Sequence, residues 1–374
     1  MKPGQTLDPI KRAEIFIVSL PLIRPFTTSF ATETRKEALL IKLQSGESCG
    51  WGESVASPGP YYSYETNETA RWIIKEFLIP ILTDQKDRSM ENVLNQFDRI
   101  RGHTMAKAAV ENAMLDLLAR QNNQSLFDMI GGQQRRIMSG ISIGIKDNQH
   151  ELLESIGQAV ERNYHRIKIK IKKGRDIDLI RTVRDAFPKI RLMADANADY
   201  TINDLELLKQ LDPFDLMMIE QPLEYNDLYF HSRLQREIKT PICLDESIKN
   251  LNDARAAIEM KSGRIINIKQ GRVGGLLAAR DIQGHCLKHN IPCWSGGMLE
   301  TGIGRAFNLH LQTLPGFTLP GDTSETARYF KEDIIDQPVV LNKDGFIDIP
   351  AGPGTGVEVV PEKLKKFTVF SEKI

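Results

Sequence analysis

Short apolar, β-branched runs recur through the middle of the chain, at residues 140–145, 166–171, 190–195, 216–220, 242–245, 265–269, 291–295 and 317–320. Their length and spacing predict eight strands. Between them the apolar residues switch to a three- and four-residue period. Leu152, Ile156, Ala159 and Val160 form one such set, Leu179, Ile180, Val183 and Ala186 a second, and Leu205, Leu208 and Leu211 a third. That period predicts helices, and strictly alternating strands and helices predict a parallel sheet. Eight units of this kind close a TIM-type barrel, here with connections shorter than usual.

Outside this block the pattern changes. Residues 15–20, 38–44 and 49–53 predict an antiparallel meander, with turns at Ser45-Gly46 and Gly50. The strongest helix spans 105–121 and carries a small-residue face of Met105, Ala108, Ala109, Asn112, Ala113 and Leu117. Near the C-terminus, 339–349 predicts a hairpin turning at 342–345, too short to stand alone and expected to join the meander. The expected fold is therefore α/β: a barrel over 131–322, and an α+β capping domain from 1–130 to which 323–374 returns.

Charge narrows the functional classes. Lys plus Arg and Asp plus Glu are 49 each, so no global field recruits nucleic acid or an anionic membrane. Ordinary hydrophobic content, 41%, lets 374 residues bury a core without disulfides or structural metal. Cys49, Cys243, Cys286 and Cys293 show no CxxC pair, which predicts reduced thiols in a cytoplasmic protein. The apolar stretch 15–23 predicts a first strand, since Glu14 and Arg24 bracket it and no cleavage site follows. No run reaches the ~18 apolar residues of a membrane helix.

The informative residues fall at the ends of consecutive predicted strands. Lys170, Asp195, Glu220 and Asp245 are each 25 residues apart, and Lys269 follows after 24. The C-terminal strand ends of such a barrel form the mouth where active sites lie. Asp195, Glu220 and Asp245 would come from neighbouring strands, where three unpaired carboxylates repel one another unless a cation holds them. An all-oxygen set suits Mg²⁺, with Mn²⁺ as the alternative, better than Zn²⁺. Each acid could instead cap a helix or pair with a nearby base.

Lysines flank the acids. In 166–171, strand alternation puts Ile167, Ile169 and Ile171 toward the helices and Arg166, Lys168 and Lys170 toward the barrel axis. Lys168 and Lys170 are expected to depress one another's pKa, tuning a lysine from ~10.4 toward ~7–8 as a general base. Lys269 would approach from the far side of the acids. The alternative is structural pairing of Lys170 with Asp195 and of Lys269 with Asp245.

These residues resemble the enolase superfamily, in its muconate-lactonising subgroup, and within it the o-succinylbenzoate synthase and N-succinylamino acid racemase branch. The resemblance covers nearly the whole chain. It is carried by 25–30 (PFTTSF), 50–53 (GWGE), 105–111 (MAKAAVE), Lys168-Ile169-Lys170, Asp195-Ala196-Asn197, Ile219-Glu220-Gln221-Pro222, Leu244-Asp245-Glu246-Ser247, Asn267-Ile268-Lys269 and 296–302 (GGMLETG). It implies Mg²⁺ on Asp195, Glu220 and Asp245, Lys170 as the acid/base lysine, Lys168 as its electrostatic support, and Lys269 on the opposite face. It also implies substrate contacts from Ser142, Asn197 and Gly297-Met298-Leu299, and from Phe26, Phe30 and Tyr62 of the cap. For the aromatic three, packing of cap on barrel is the alternative.

The reaction so implied removes a proton alpha to a carboxylate. One form dehydrates 2-succinyl-6-hydroxy-2,4-cyclohexadiene-1-carboxylate to 2-succinylbenzoate in menaquinone synthesis. Another racemises N-succinylamino acids, with Arg272 fitting that activity and dual activity open. A dipeptide epimerase or cycloisomerase is a further relative. The partner expected is a small carboxylate substrate, with no nucleic acid or membrane, in a homo-oligomer. A glycosidase also sets carboxylates on barrel strand ends but does not need flanking lysines. A non-catalytic binding barrel leaves the 25-residue ladder unexplained.

Overall fold

A computed structural model of the chain describes residues 5–27, 32–84, 87–146 and 148–374. The N-terminal meander is present as β1 (Arg12–Thr27), β2 (Thr32–Ser45) and β3 (Ser48–Ser54), paired antiparallel in that order. Alternating inward residues of β1 and β2, including Ile15, Leu39 and Ile41, are fully buried beneath the helices of this region.

The small-residue helix, Thr104–Gln121, has its predicted role. Its Ala109 and Ala113 turn let β3 lie directly on the helix backbone. A Cβ added to Gly52 would come 1.9 Å from Ala109 O, and one added to Gly50 would come 2.2 Å from Ala113 O. Only glycine permits that approach.

After β4 (Arg136–Met138) come seven parallel strands: β5 (Gly140–Ile143), β6 (Arg166–Lys170), β7 (Leu192–Asp195), β8 (Ile219–Glu220), β9 (Ile242–Leu244), β10 (Ile265–Ile268) and β11 (Cys293–Ser295). They pair in sequence order, as right-handed strand–helix units require. The expected eighth strand, 317–320, is not a strand. That segment instead makes single parallel bridges from Phe317 to Cys293 and from Gly321 to Ser139, so it touches both edges of the sheet without a continuous ladder. Pro320 supplies no amide hydrogen there, which shortens any ladder.

The C-terminal expectation needs correction. The 342–345 turn forms, with Asn342 Oδ1 accepting from the amides of Asp344 and Phe346. Its strand β12 (Phe346–Asp348), however, pairs antiparallel with β4, not with the meander. Burial explains the choice: Ile347, Val339 and Leu341 pack with Ile137, Phe127 and Leu309 in a separate small core. The strand that does join the meander is β13 (Thr368–Lys373), on the outer side of β1. It is largely exposed and carries no clear alternation, so its sequence gave little sign of it.

Buried carboxylates dock the two regions. Glu53, from β3, accepts from Thr301 N (3.0 Å), Thr301 Oγ1 (2.6 Å) and Gly304 N (2.9 Å) at the start of helix Gly302–Leu311. Glu111, from helix Thr104–Gln121, accepts from Leu277 N (2.8 Å) at the start of helix Leu276–Lys288. Both acids thus satisfy helix amides that have no partner within their own helix. All four cysteines are free thiols, three of them buried. Among the described residues no helix is long and apolar enough to cross a membrane.

Burial pushes the Glu111 carboxyl from its ordinary 4.5 up to about 8, against the lowering effect of the Leu277 and Leu276 amides. The folded state therefore keeps a proton that the unfolded chain releases, and this contribution to stability is complete below about 4.5 and lost as pH rises through about 8. Urea denaturation of Glu111→Gln, which is neutral at every pH, should match the parent at pH 5 and exceed it at pH 9. Equal loss at both pH values would show that the charge is irrelevant. Gly52→Ala should unfold at markedly lower urea, by roughly 3 kcal/mol, because the backbone behind it cannot move aside.

Candidate active site

Lys170, Asp195 and Glu220 are the last residues of β6, β7 and β8, and Asp245 and Lys269 lie one residue beyond β9 and β10. Parallel register sets Lys170 opposite Asp195, and Asp195 opposite Glu220. The five ladder residues thus occupy one end of the sheet. Strand alternation holds on β6: Ile167, Ile169 and Ile171 are buried in the main core, while Arg166 and Lys168 turn inward to acids.

The inward groups form one dense charge network. Lys168 Nζ lies 3.2 Å from Asp195 Oδ2, 3.0 Å from Glu220 Oε2 and 2.7 Å from Asp322 Oδ2. Lys170 Nζ donates to Asp195 Oδ2 at 2.7 Å and to Asn197 Oδ1 at 2.5 Å. On the other side, Lys269 Nζ donates to Asp245 Oδ2 at 2.8 Å and contacts Tyr62 Oη at 3.0 Å, and Arg272 pairs with Asp245 Oδ1. The pairings of Lys170 with Asp195 and Lys269 with Asp245, weighed above as the alternative, are therefore present.

Electrostatics corrects one expectation. Burial disfavours the charged form of Lys168, yet Asp322, Glu220 and Asp195 outweigh it and hold its pKa well above the ordinary lysine range. One neighbouring lysine cannot depress a group that three carboxylates surround. Lys269 is likewise raised, since Asp245 overcomes its burial. Asp195 is held low by Lys170 and Lys168 despite burial. Glu220 moves the other way, pushed up by burial and by the charge of Asp195 beside it.

This imbalance bears on a metal. As the side chains stand, no three His, Cys, Asp or Glu residues among the described ones converge as a ligand group. The donor set nevertheless fits a hard divalent cation. Asp195, Glu220 and Asp245 are all oxygen donors at most 1% exposed, and Asp195 and Glu220 already share one cationic centre, the Lys168 ammonium. Beside them the buried Glu246 Oε2 has no hydrogen-bond partner among the described residues. Such a set suits a divalent cation that binds through oxygen.

A cavity lies against this network, lined by Lys168, Lys170, Asp195, Asn197 and Lys269 and also by Phe26, Tyr62, Ser142 and Gly297–Leu299. Glu220 and Asp245 stand behind that wall. Phe30 lies outside the described residues. Phe26 packs edge-on to Tyr329, so β1 and the C-terminal segment meet beside the cavity that both line.

The sequence assigns no role to several residues of the site. Asp322 closes the ring beyond β11, bound to Arg166 at 2.6 Å as well as to Lys168. It falls two residues after the expected eighth strand and 53 residues after Lys269, off the 24–25-residue step of the ladder. Asn267 donates to Glu220 Oε1 at 2.7 Å and holds Gly296 N. It lies two residues before Lys269, on the same inward face. Gln221 accepts from the Asp245 amide and Ser247 Oγ, and no spacing signals that role.

Fold and site together define an enzyme: a parallel α/β sheet whose C-terminal strand ends carry buried acids and lysines beneath an antiparallel cap. Residues 12–131 match the mandelate racemase / muconate lactonizing enzyme N-terminal domain, and 151–363 match the enolase C-terminal domain-like family. An o-succinylbenzoate synthase from Geobacillus kaustophilus is 46% identical over 356 residues, covering 95% of each chain. An N-succinylamino acid racemase from Amycolatopsis is 44% identical, covering 95% of this chain and 96% of its own. A crystal structure of an enolase superfamily member from Listeria innocua superposes with a TM-score of 0.94 at 42% identity, over 98% of this chain and 99% of that one. The chain belongs to the mandelate racemase / muconate lactonizing enzyme family of the enolase superfamily.

A ligand that binds only the folded site raises stability by mass action. Millimolar Mg²⁺ added to EDTA-treated protein should raise its melting temperature by several degrees, and Glu220→Gln should abolish the shift. An unchanged shift in that variant would place the cation elsewhere.

Proposed function

We propose that this chain is an o-succinylbenzoate synthase, dehydrating 2-succinyl-6-hydroxy-2,4-cyclohexadiene-1-carboxylate to 2-succinylbenzoate. The observation that carries this reading is the placement of two lysine side chains, Lys170 and Lys269, in one cavity wall on either side of the three acids. Synthases 41–46% identical over nearly the full chain support the choice of reaction. The architecture is taken as a (β/α)7β barrel over 131–322, with 317–321 as its eighth stave, capped by 1–130 and by 323–374.

Asp195, Glu220 and Asp245 would hold the divalent cation, Mg²⁺ or Mn²⁺. When bound, it supplies positive charge against the substrate carboxylate, which lowers the cost of removing the adjacent proton. Lys170 takes that alpha proton as its amine and returns it to the departing hydroxyl, so water leaves and the ring becomes aromatic. Asn197, bonded to Lys170, aims the amine. Lys269 stays an ammonium over the other ring face, held by Asp245 and Tyr62, and stabilises the charge that develops. Lys168 remains cationic throughout and keeps Asp195 and Glu220 in place.

A second reading has its own support. Lysines on both sides of the acids also suit two-base racemisation of an N-succinylamino acid, the activity named for the Amycolatopsis relative. Arg272 then contributes through Asp245, since its guanidinium is bound to that acid, to Asn267 O and to Ile248 O. Purified protein with Mg²⁺ should convert the cyclohexadiene to 2-succinylbenzoate and lose that activity in EDTA. Turnover of N-succinylamino acids alone would establish the racemase reading instead.

A further inference from the structure

Among the described residues that line the cavity, the cations Lys168, Lys170 and Lys269 are all paired with acids. Arg305 is the remaining cation of that lining. Arg305, in helix Gly302–Leu311, is 3% exposed and lines the same cavity. It has no salt bridge among the described residues. Nε donates to Glu300 O at 3.0 Å and Nη1 to Ser324 O at 3.1 Å, both neutral carbonyls, and Nη2 has no protein hydrogen bond among the described residues. Tyr329 and Phe330 stack on the guanidinium, at 5.0 and 5.5 Å to their ring centres, which fixes its plane without neutralising it. The nearest acid in sequence, Glu300, commits its carboxylate to Met298 N and Asn308 Nδ2.

A buried charge without a counter-ion is costly, and one facing a cavity recovers that cost from an anionic ligand. A second observation points the same way. Ser324 Oγ, on the residue whose carbonyl holds Arg305, is buried with no hydrogen-bond partner among the described residues, and Ser324 lines the cavity. Ser142, one residue before the end of β5, lines it too. Around the sheet β5 and 317–324 lie away from β7–β9, which bear the three acids. An anion at Arg305 would therefore sit across the mouth from a carboxylate at the acids.

We propose that Arg305, with the Ser324 hydroxyl, binds the second carboxylate of a dicarboxylic ligand, the terminal carboxylate of its succinyl arm. This deepens the proposed function and rests on it for the identity of the arm. The cavity would then recognise substrate at both ends and select succinyl over uncharged acyl groups.

Calorimetry in Mg²⁺ buffer tests this without turnover, using 2-succinylbenzoate and 2-butyrylbenzoate, which lacks the terminal carboxylate. The parent protein should bind the succinyl compound at least about tenfold more tightly, the effect of one charge-assisted pair. Arg305→Met should bind both compounds equally, Arg305→Lys should recover part of the preference, and Ser324→Ala should reduce it severalfold. A preference retained in Arg305→Met overturns the proposal. So does a parent protein that binds both compounds equally. If Arg305→Met does not fold, the Arg305→Lys and Ser324→Ala values decide, and a full preference in both overturns it. Failure of the proposed reaction reads differently: the parent would prefer the succinyl compound yet not dehydrate the cyclohexadiene.

Discussion

Acids at the ends of three adjacent strands cannot be buried together without cations, and most of the site follows from that constraint. Asp195, Glu220 and Asp245 are at most 1% exposed, so their mutual repulsion is little screened by water. The protein answers with Lys168, Lys170, Lys269 and Arg272, each within bonding distance of one or more of them. Asp322 then balances the surplus of Arg166 and Lys168. The zero net charge of the chain conceals this segregation of sign at one end of the sheet.

The cap is tied to the same arrangement. Tyr62 reaches Lys269 and Arg272 from the cap, and Glu53 and Glu111 supply acceptors to the first turns of two helices that follow sheet strands. Separation of cap from sheet would strand buried carboxylates and helix amides together, which costs far more than an exposed ion pair. Gly50 and Gly52 make this geometry possible by letting β3 rest on the helix that carries Glu111. The site is therefore built at a rigid junction, as positioning chemistry requires.

Much of this was legible in the sequence because periodicity and spacing are local. Seven of the expected strands, the Thr104–Gln121 helix and its small face, and the five-residue ladder follow from patterns within short windows. What was not legible depends on contacts between distant segments. β13 is exposed and lacks alternation, and β12 chose β4 because of a core assembled from five separate parts of the chain. The raised pKa of Lys168 is hidden for a similar reason: sequence adjacency reveals Lys168 beside Lys170, whereas Asp322, 154 residues away from Lys168, lies closer to it in space than any other described acid. Arg305 was invisible as a site residue because only the folded cavity shows that it has no acid partner among the described residues.

In the proposed reaction Lys170 breaks a carbon–hydrogen bond alpha to a carboxylate. A kinetic isotope effect with the alpha-deuterated cyclohexadiene, measured for the parent protein and for Lys170→Ala, tests this most directly. The parent should turn over the deuterated compound measurably more slowly, and Lys170→Ala should lose roughly 10³-fold in rate, the contribution expected of a positioned general base. Undiminished dehydration by Lys170→Ala would contradict it.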